Sequence, residues 1–209
     1  MREKTETYGA ESVFKASMEA VAMSSDVELM LRVKEGDEAS FAYLLSKHRD
    51  AVINYLYRMV QNGAVAEELA QDVFLRVYRA RQHYEPTAKF TTWLYRIATH
   101  VALNSLRDGR NARYMASLDD QDRERGWELS DPGPTVEQSL VEQSQGWEIR
   151  RAVQALPEKQ RAAVILHKYQ ELDYKEIAQT LKCSESAVKS LLFRAYETLR
   201  VRLGHLARR

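Results

Sequence analysis

The stretch DYKEIAQTLKCSESAVKSLLFRA, from Asp173 to Ala195, holds two short helical patterns separated by a break of a few residues. Ile177, Ala178 and Leu181 recur at helical intervals before the break, and Val188 and Leu191 after it, so each half has one apolar side. Asp173 and Ser184 stand where helix caps belong, and Lys182 and Cys183 between them leave room only for a tight turn. Helices joined this way must cross closely, which the small Ala178 permits, and the second keeps its opposite face free for a DNA major groove. This is the helix-turn-helix arrangement. Lys182 occupies a position where glycine commonly relieves the backbone, so a turn slightly different from the common one is expected. Cys183, at the next and ordinarily apolar turn position, is read as a small buried thiol.

Charge sharpens this reading. The whole chain has a formal net charge of only +1, yet from Lys182 onward seven cations (Lys182, Lys189, Arg194, Arg200, Arg202, Arg208, Arg209) face two acids, Glu185 and Glu197, a net of +5. Such a local field attracts phosphates and makes binding salt-dependent. Alone it would describe a solvated basic helix; the turn pattern reverses that preference. Ser186, Lys189, Ser190, Phe193 and Arg194 are close enough in helical phase to enter one groove, where Lys or Arg can read guanine edges and Phe can pack on thymine methyls.

The rest of the chain is also helical in period. From Asp26, the residues Leu29, Val33, Phe41, Leu44, Leu45, Val52, Tyr55, Leu56 and Met59 recur at threes and fours, interrupted at Gly36 and Asp37, which describes a helical hairpin with Asp37 as a cap. The next helix puts Leu69, Ala70, Val73, Phe74 and Val77 on one stripe and Glu68, Gln71, Asp72 and Leu75 on a more polar neighbour. Beyond Pro86, Thr91 or Thr92 can cap a helix whose Leu94, Ile97, Ala98 and Val101 face inward. In the C-terminal part the inward set is Leu156, Ala162, Ile165, Leu166 and Tyr169, with Pro157 suited to a first helical position.

Between these parts the texture changes. Ser117 to Glu148 contains nine acids against Arg123 and Arg125, a net of −7, together with Pro132, Gly133 and Pro134. A like-charge excess of this kind keeps a chain extended, so an acidic tether with a short helix in its second half is expected. The resulting organisation is all-α: a mobile extension over 1–24, a helical domain over 25–114, the tether over 115–147 and a second helical domain over 148–209. Val13, Phe14 and Met18 could form a short helix of the extension against a partner.

Beside its core face, the helix after Pro86 carries a second row. Trp93, Arg96, His100, Asn104 and Arg107 advance by three or four residues, and the preceding loop holds Tyr84 and Phe90. Aromatic rings among cations suit an unstacked single strand, because a base on an aromatic face gains roughly 1–3 kcal/mol. Phe90 and Trp93 also suit the core and are read first as core; Tyr84, Arg96, His100 and Asn104 are read as surface.

Other chemistries find no support. The lone Cys183 excludes an internal disulfide, the five histidines lack metal-ligand spacing, and neither a cofactor nor a small-molecule substrate is expected. No paired carboxylates, nucleophile with its base, or phosphate loop points to an enzyme. No apolar run approaches the roughly 20 residues of a membrane span and the N-terminal stretch is charged, so a cytoplasmic location is expected.

Three segments in order, AEELAQDVFLRVYRA, FTTWLYRIATHVALNSLRD and ALPEKQRAAVILHKYQELDYKEIAQTLKCSESAVKSLLFRA, resemble the extracytoplasmic-function group of the sigma-70 family, the likeness running from about Asp26 to Leu203. The resemblance implies a region two and a region four, and transcription initiation with core RNA polymerase at promoter DNA. It implies that Glu68, Gln71, Asp72 and Arg76 dock on the beta-prime clamp. It implies that Tyr84, Lys89, Trp93, Arg96, His100, Asn104 and Arg107 meet the minus-ten element, with a non-template base flipped into a pocket that matches Tyr84 and His100 by position. Family relatives often carry Asn or Arg at the position of His100, which leaves the preferred base open. Ser184, Ser186, Lys189, Ser190, Phe193 and Arg194 would meet the minus-thirty-five element while the other surface of region four holds the beta flap. The tether would thread toward the RNA exit channel, and an anti-sigma factor, in the family often membrane-anchored, would be the antagonist. The alternative is a conventional helix-turn-helix regulator that binds duplex DNA without polymerase.

Overall fold

The computed structural model describes residues 25–115 and 136–206, with side chains described for all of these except 110–115 and 136–144. The expected N-terminal extension, residues 116–135 of the acidic tether, and Arg208 and Arg209 lie outside the described residues.

Eight α-helices and one 3-10 turn make up the described residues: α1 Asp26–Lys34, α2 Glu38–Val60, α3 Gly63–Arg79, the turn Arg81–His83, α4 Phe90–Met115, α5 Val136–Gln154, α6 Glu158–Tyr169, α7 Tyr174–Leu181 and α8 Glu185–Leu203. Local chemistry sets most of the boundaries. Ser25 and Glu28 form a capping box at α1, in which Glu28 N donates to Ser25 Oγ at 3.3 Å and Ser25 N to Glu28 Oε2 at 2.8 Å. Gly36, at φ +100°, makes the turn that delivers Asp37 to cap α2 by accepting from the amides of Ala39 and Ser40. Asn62 Oδ1 caps α3 through Val65 N at 3.0 Å.

Two local expectations shift. Thr91 and Thr92 lie inside α4, and the first helical bond runs from Trp93 N to Lys89 O, so Lys89 stands at the cap position. Pro157 stands one position earlier than expected, at the cap of α6, where its carbonyl accepts from Arg161 N.

The helices α1–α4 pack around Leu29, Met30, Leu44, Tyr55, Leu56, Met59, Val73 and Leu94, all buried, as the threes-and-fours pattern dictates. Tyr55 and Thr99 share a 2.6 Å hydrogen bond that ties α2 to α4 inside this core. The second group, α5–α8, packs around Leu156, Ile165, Leu166, Ile177, Val188 and Leu192. Residues Arg161–Leu166 are all buried because α6 is covered by both groups, and the apolar cluster is continuous from one to the other. Tyr169, expected inside, is exposed instead: it ends α6, and its ring lies under the Arg58 guanidinium at 3.9 Å, a contact between the groups.

Among the described residues no helix is long and apolar enough to cross a membrane, and no cluster of His, Cys, Asp and Glu could hold a metal ion.

Candidate nucleic-acid interface

The pair α7–α8 begins with a second capping box. Glu176 N donates to Asp173 Oδ1 at 2.8 Å and Asp173 N to Glu176 Oε2 at 3.0 Å. Helix α7 stops at Lys182, which adopts φ 51°, ψ 52°, and Cys183 N turns back to Ala178 O at 3.0 Å. The expectation of an altered turn is thereby corrected: lysine takes the left-handed conformation that glycine adopts more readily, and the tight turn is kept. Ser184 Oγ then caps α8 through Ala187 N. Cys183 is half-buried against the apolar cluster rather than fully enclosed.

With Val188, Leu192 and Ala195 turned inward, the opposite face of α8 projects Ser184, Ser186, Lys189, Ser190, Phe193 and Arg194 outward, all exposed. Phe193 is 67% exposed, a large apolar ring with no role in the core. Ser190 Oγ donates back to Ser186 O at 3.0 Å, so its hydroxyl offers acceptor capacity outward. Lys175, Gln179 and Lys182 border an open groove beside the turn. They lie on or just after α7, whose counterpart in a helix-turn-helix crosses the phosphate backbone, and sequence reasoning centred on the second helix passed over Lys175 and Gln179.

On α4 the structure separates the expected set. Arg96, His100 and Arg107 are exposed and Asn104 half-exposed, with Asn104 Nδ2 3.1 Å from His100 Nε2. Arg107 lies 3.7 Å from Asp108. Lys89 is exposed and paired with Glu176 Oε1 at 3.0 Å. Tyr84, read as surface, is only 1% exposed: its ring packs edge-on against Trp93 at 4.9 Å and against Phe90 at 6.4 Å. Lys34 Nζ holds the Tyr84 carbonyl at 3.2 Å, the buried hydroxyl has no hydrogen-bond partner among the described residues, and burial raises its pKa. Phe90 is buried and Trp93 half-buried, in keeping with the core reading of these two. His100 lies seven residues beyond Trp93, about 10 Å along the axis at 1.5 Å per residue, and is exposed where Tyr84 is buried.

The outer stripe of α3 has Glu68, Gln71 and Arg76 exposed and Asp72 half-exposed. Arg76 Nη2 meets Asp72 Oδ2 at 2.9 Å and its Nε lies 3.0 Å from both carboxylate oxygens, an i,i+4 pair flanking Leu75, which is 53% exposed.

Comparison with known proteins matches the chain to a family. The profile "Sigma-70 region 2" matches residues 44–112 and "Sigma-70, region 4" matches residues 147–199. The RNA polymerase sigma factor CarQ of Myxococcus xanthus is 34% identical over 177 residues, 85% of this chain and 97% of that protein. The ECF RNA polymerase sigma-E factor of Escherichia coli (strain K12) is 31% identical over 191 residues, 88% and 97% of the two chains. Among solved structures, CnrH in complex with the cytosolic domain of CnrY aligns with a TM-score of 0.63 at 20% identity, covering 87% of this chain and 99% of that one. The RpoE–NepR complex of Bartonella quintana gives the same TM-score and identity over 78% and 96%. These two establish a shared fold.

Proposed function

The chain belongs to the extracytoplasmic-function group of the sigma-70 family, and from that premise we propose how its surfaces divide the work. It is a sigma factor: it binds core RNA polymerase and directs promoter-specific initiation, and the catalysis of RNA synthesis is the polymerase's.

The α8 face reads the minus-thirty-five duplex. Lys189 and Arg194 supply guanine and phosphate contacts, Phe193 packs on thymine methyls, and Ser184, Ser186 and Ser190 add hydrogen bonds. On α4, Arg96, His100, Asn104 and Arg107 track the minus-ten strand, with Lys89 at the start of the row. Trp93, half-buried and backed by the buried Tyr84, supplies the aromatic face beside it, and stacking there offsets the few kcal/mol that unstacking a base costs. On α3, Glu68, Gln71, Asp72 and Arg76 form the polar rim around Leu75 that docks on the beta-prime clamp, and the other surface of region four meets the beta flap. Region two spans residues 25–114 and region four residues 148–209, with the tether between them. The chain works in the cytoplasm, where an anti-sigma factor restrains it. The solved relatives with similar folds are described in complex with CnrY and with the anti-sigma factor NepR.

The observation that carries this reading is the exposed row Lys189, Phe193, Arg194 on the second helix of a helix-turn-helix, on the same chain as the exposed row Arg96, His100, Arg107. Run-off transcription tests it. Core polymerase plus the protein starts RNA from a cognate promoter that core alone ignores; a protein that binds duplex DNA but starts RNA only with another sigma factor present is a conventional regulator.

A further inference from the structure

His48, on α2, is a buried titratable group in direct contact with the aromatic cluster behind the α4 row. Its side chain is 11% exposed, and its ring centroid lies 5.4 Å from that of Phe90, the two planes inclined at 50°. Phe90 opens α4 and is itself buried, with the Trp93 ring 6.0 Å from it. Trp93 in turn meets the Tyr84 ring at 4.9 Å. Of these four residues, Trp93 is the one that is not buried.

The far end of this row is anchored on another helix. Asp26, in the first turn of α1, lies 3.0 Å from His48 Nε2 through Oδ2, and its Oδ1 accepts from Lys47 Nζ at 2.7 Å. A carboxylate only accepts, so Nε2 carries the proton, and the imidazole is oriented as well as placed. A path of contacts thus runs from a carboxylate on α1 through His48 and Phe90 to the indole on α4. Close-packed interiors transmit such placement, because a side chain with no void behind it cannot retreat.

We propose that His48 is a positioning residue for the minus-ten strand: held by Asp26, its ring backs Phe90 and so fixes the angle at which the Trp93 indole meets an unstacked base. The part played in strand capture rests on the place given to Trp93 beside that strand; the coupling of His48 to the indole does not.

The same contacts make the setting of the indole respond to pH. The titratable groups around His48 are Asp26 on α1, Lys47 on its own helix and, in the loop before α4, the Tyr84 hydroxyl, which burial and the Asp26 charge keep protonated. From α4 comes the uncharged Phe90. Burial disfavours the imidazolium, and Asp26 offsets this only in part, so the ring takes its proton below the ordinary 6.5. Protonation then puts a charge and a second N–H donor behind Phe90, and the rings must adjust.

The test uses the full chain with Trp127→Phe and Trp147→Phe, which leaves Trp93 as the one indole. Its emission is followed from pH 7.5 to 5 without polymerase or DNA, alongside far-UV circular dichroism. The emission maximum shifts with a midpoint below 6.5 while the dichroism holds. His48→Phe keeps a ring behind Phe90 with no proton to gain, and it reduces the shift at least threefold. Asp26→Asn removes the charge that favours the imidazolium and moves the midpoint to lower pH. An equal shift in His48→Phe, or a midpoint raised by Asp26→Asn, overturns the coupling. Strand opening is then read at pH 7.5 with core polymerase, on a promoter that supports run-off transcription by the parent. His48→Gln keeps a donor for Asp26 but removes the ring, and it lowers permanganate reactivity of the minus-ten strand at least threefold. His48→Phe restores it to within twofold, and minus-thirty-five duplex binding stays within twofold throughout. An equal loss in the two variants, no loss in His48→Gln, or a matching loss in duplex binding overturns the positioning role. Failure of the sigma-factor reading looks different: no promoter yields RNA with the parent, whatever the Trp93 titration shows.

Discussion

Arg161 reaches from α6 to the end of α2 and donates from Nη1 to the Met59 carbonyl at 2.7 Å, while its Nη2 bonds the Leu156 carbonyl at 3.2 Å. One buried guanidinium thus satisfies backbone acceptors in both helical groups. Arg161→Leu removes the donors and leaves those carbonyls enclosed without them, at a cost of about 2–4 kcal/mol. Urea denaturation reads the loss as a lower midpoint, and an unchanged midpoint would contradict the assignment.

Lys182 holds a left-handed backbone that disfavours any side chain with a Cβ. Lys182→Gly relieves this and stabilises the helix-turn-helix unit by about 0.5–1 kcal/mol, although glycine also loses more freedom on folding. The denaturation midpoint rises; a fall would place the strain elsewhere.

His48 is buried beside Phe90, with Nε2 3.0 Å from Asp26 Oδ2. Burial lowers its pKa below the ordinary 6.5, and Asp26 offsets that only in part. A depressed folded value means that the unfolded chain takes up the proton first. The contribution of neutral His48 is therefore present above 6.5 and is lost as pH falls through that value toward the lower folded one. Unfolding measured from pH 7.5 to 5 shows a downward slope that His48→Gln flattens; equal slopes would remove His48 as the cause.

Phe193 and Leu75 are exposed, so truncating either leaves stability within about 0.5 kcal/mol of the parent. Their functional losses differ. Phe193→Ala costs about 1 kcal/mol or more in minus-thirty-five binding, and Leu75→Ala weakens core polymerase binding by about 1–2 kcal/mol. Binding assays on the separate partners distinguish them, and a loss shared equally by both partners defeats the division proposed for the two surfaces.

Lys189→Ala with Arg194→Ala lowers the salt slope of promoter binding by about 2, one for each phosphate contact removed. His100→Ala leaves that slope within experimental error and impairs strand opening, read by permanganate reactivity of the minus-ten strand. Identical behaviour of the two sets would refute separate duplex and single-strand roles.

Features set by a few adjacent residues were legible without coordinates: the caps at Asp37, Asp173 and Ser184, the turn at Gly36, and the inward Leu44, Leu56, Ile165 and Val188. So were the outward positions of Lys189, Phe193 and Arg194, because a helix with one apolar face fixes what its other face presents. Tyr84 and Tyr169 were not. Tyr84 is buried by Trp93 and Phe90, nine and six positions further along, through a loop that periodicity does not describe, and Tyr169 is held by Arg58 on a distant helix. Thr92 and Glu176 are 84 positions apart, and each has a sufficient local explanation in a helix start, so neither advertises the other.

The carboxylate of Glu176 uses its two oxygens separately: Oε2 accepts from the Asp173 amide within its own motif, and Oε1 faces Lys89 and Thr92 across the interface. Loss of the second set leaves the first intact. The helix pair α7–α8 therefore carries its own starting cap whatever stands opposite it, and its shape is fixed from within the motif rather than borrowed from its neighbours.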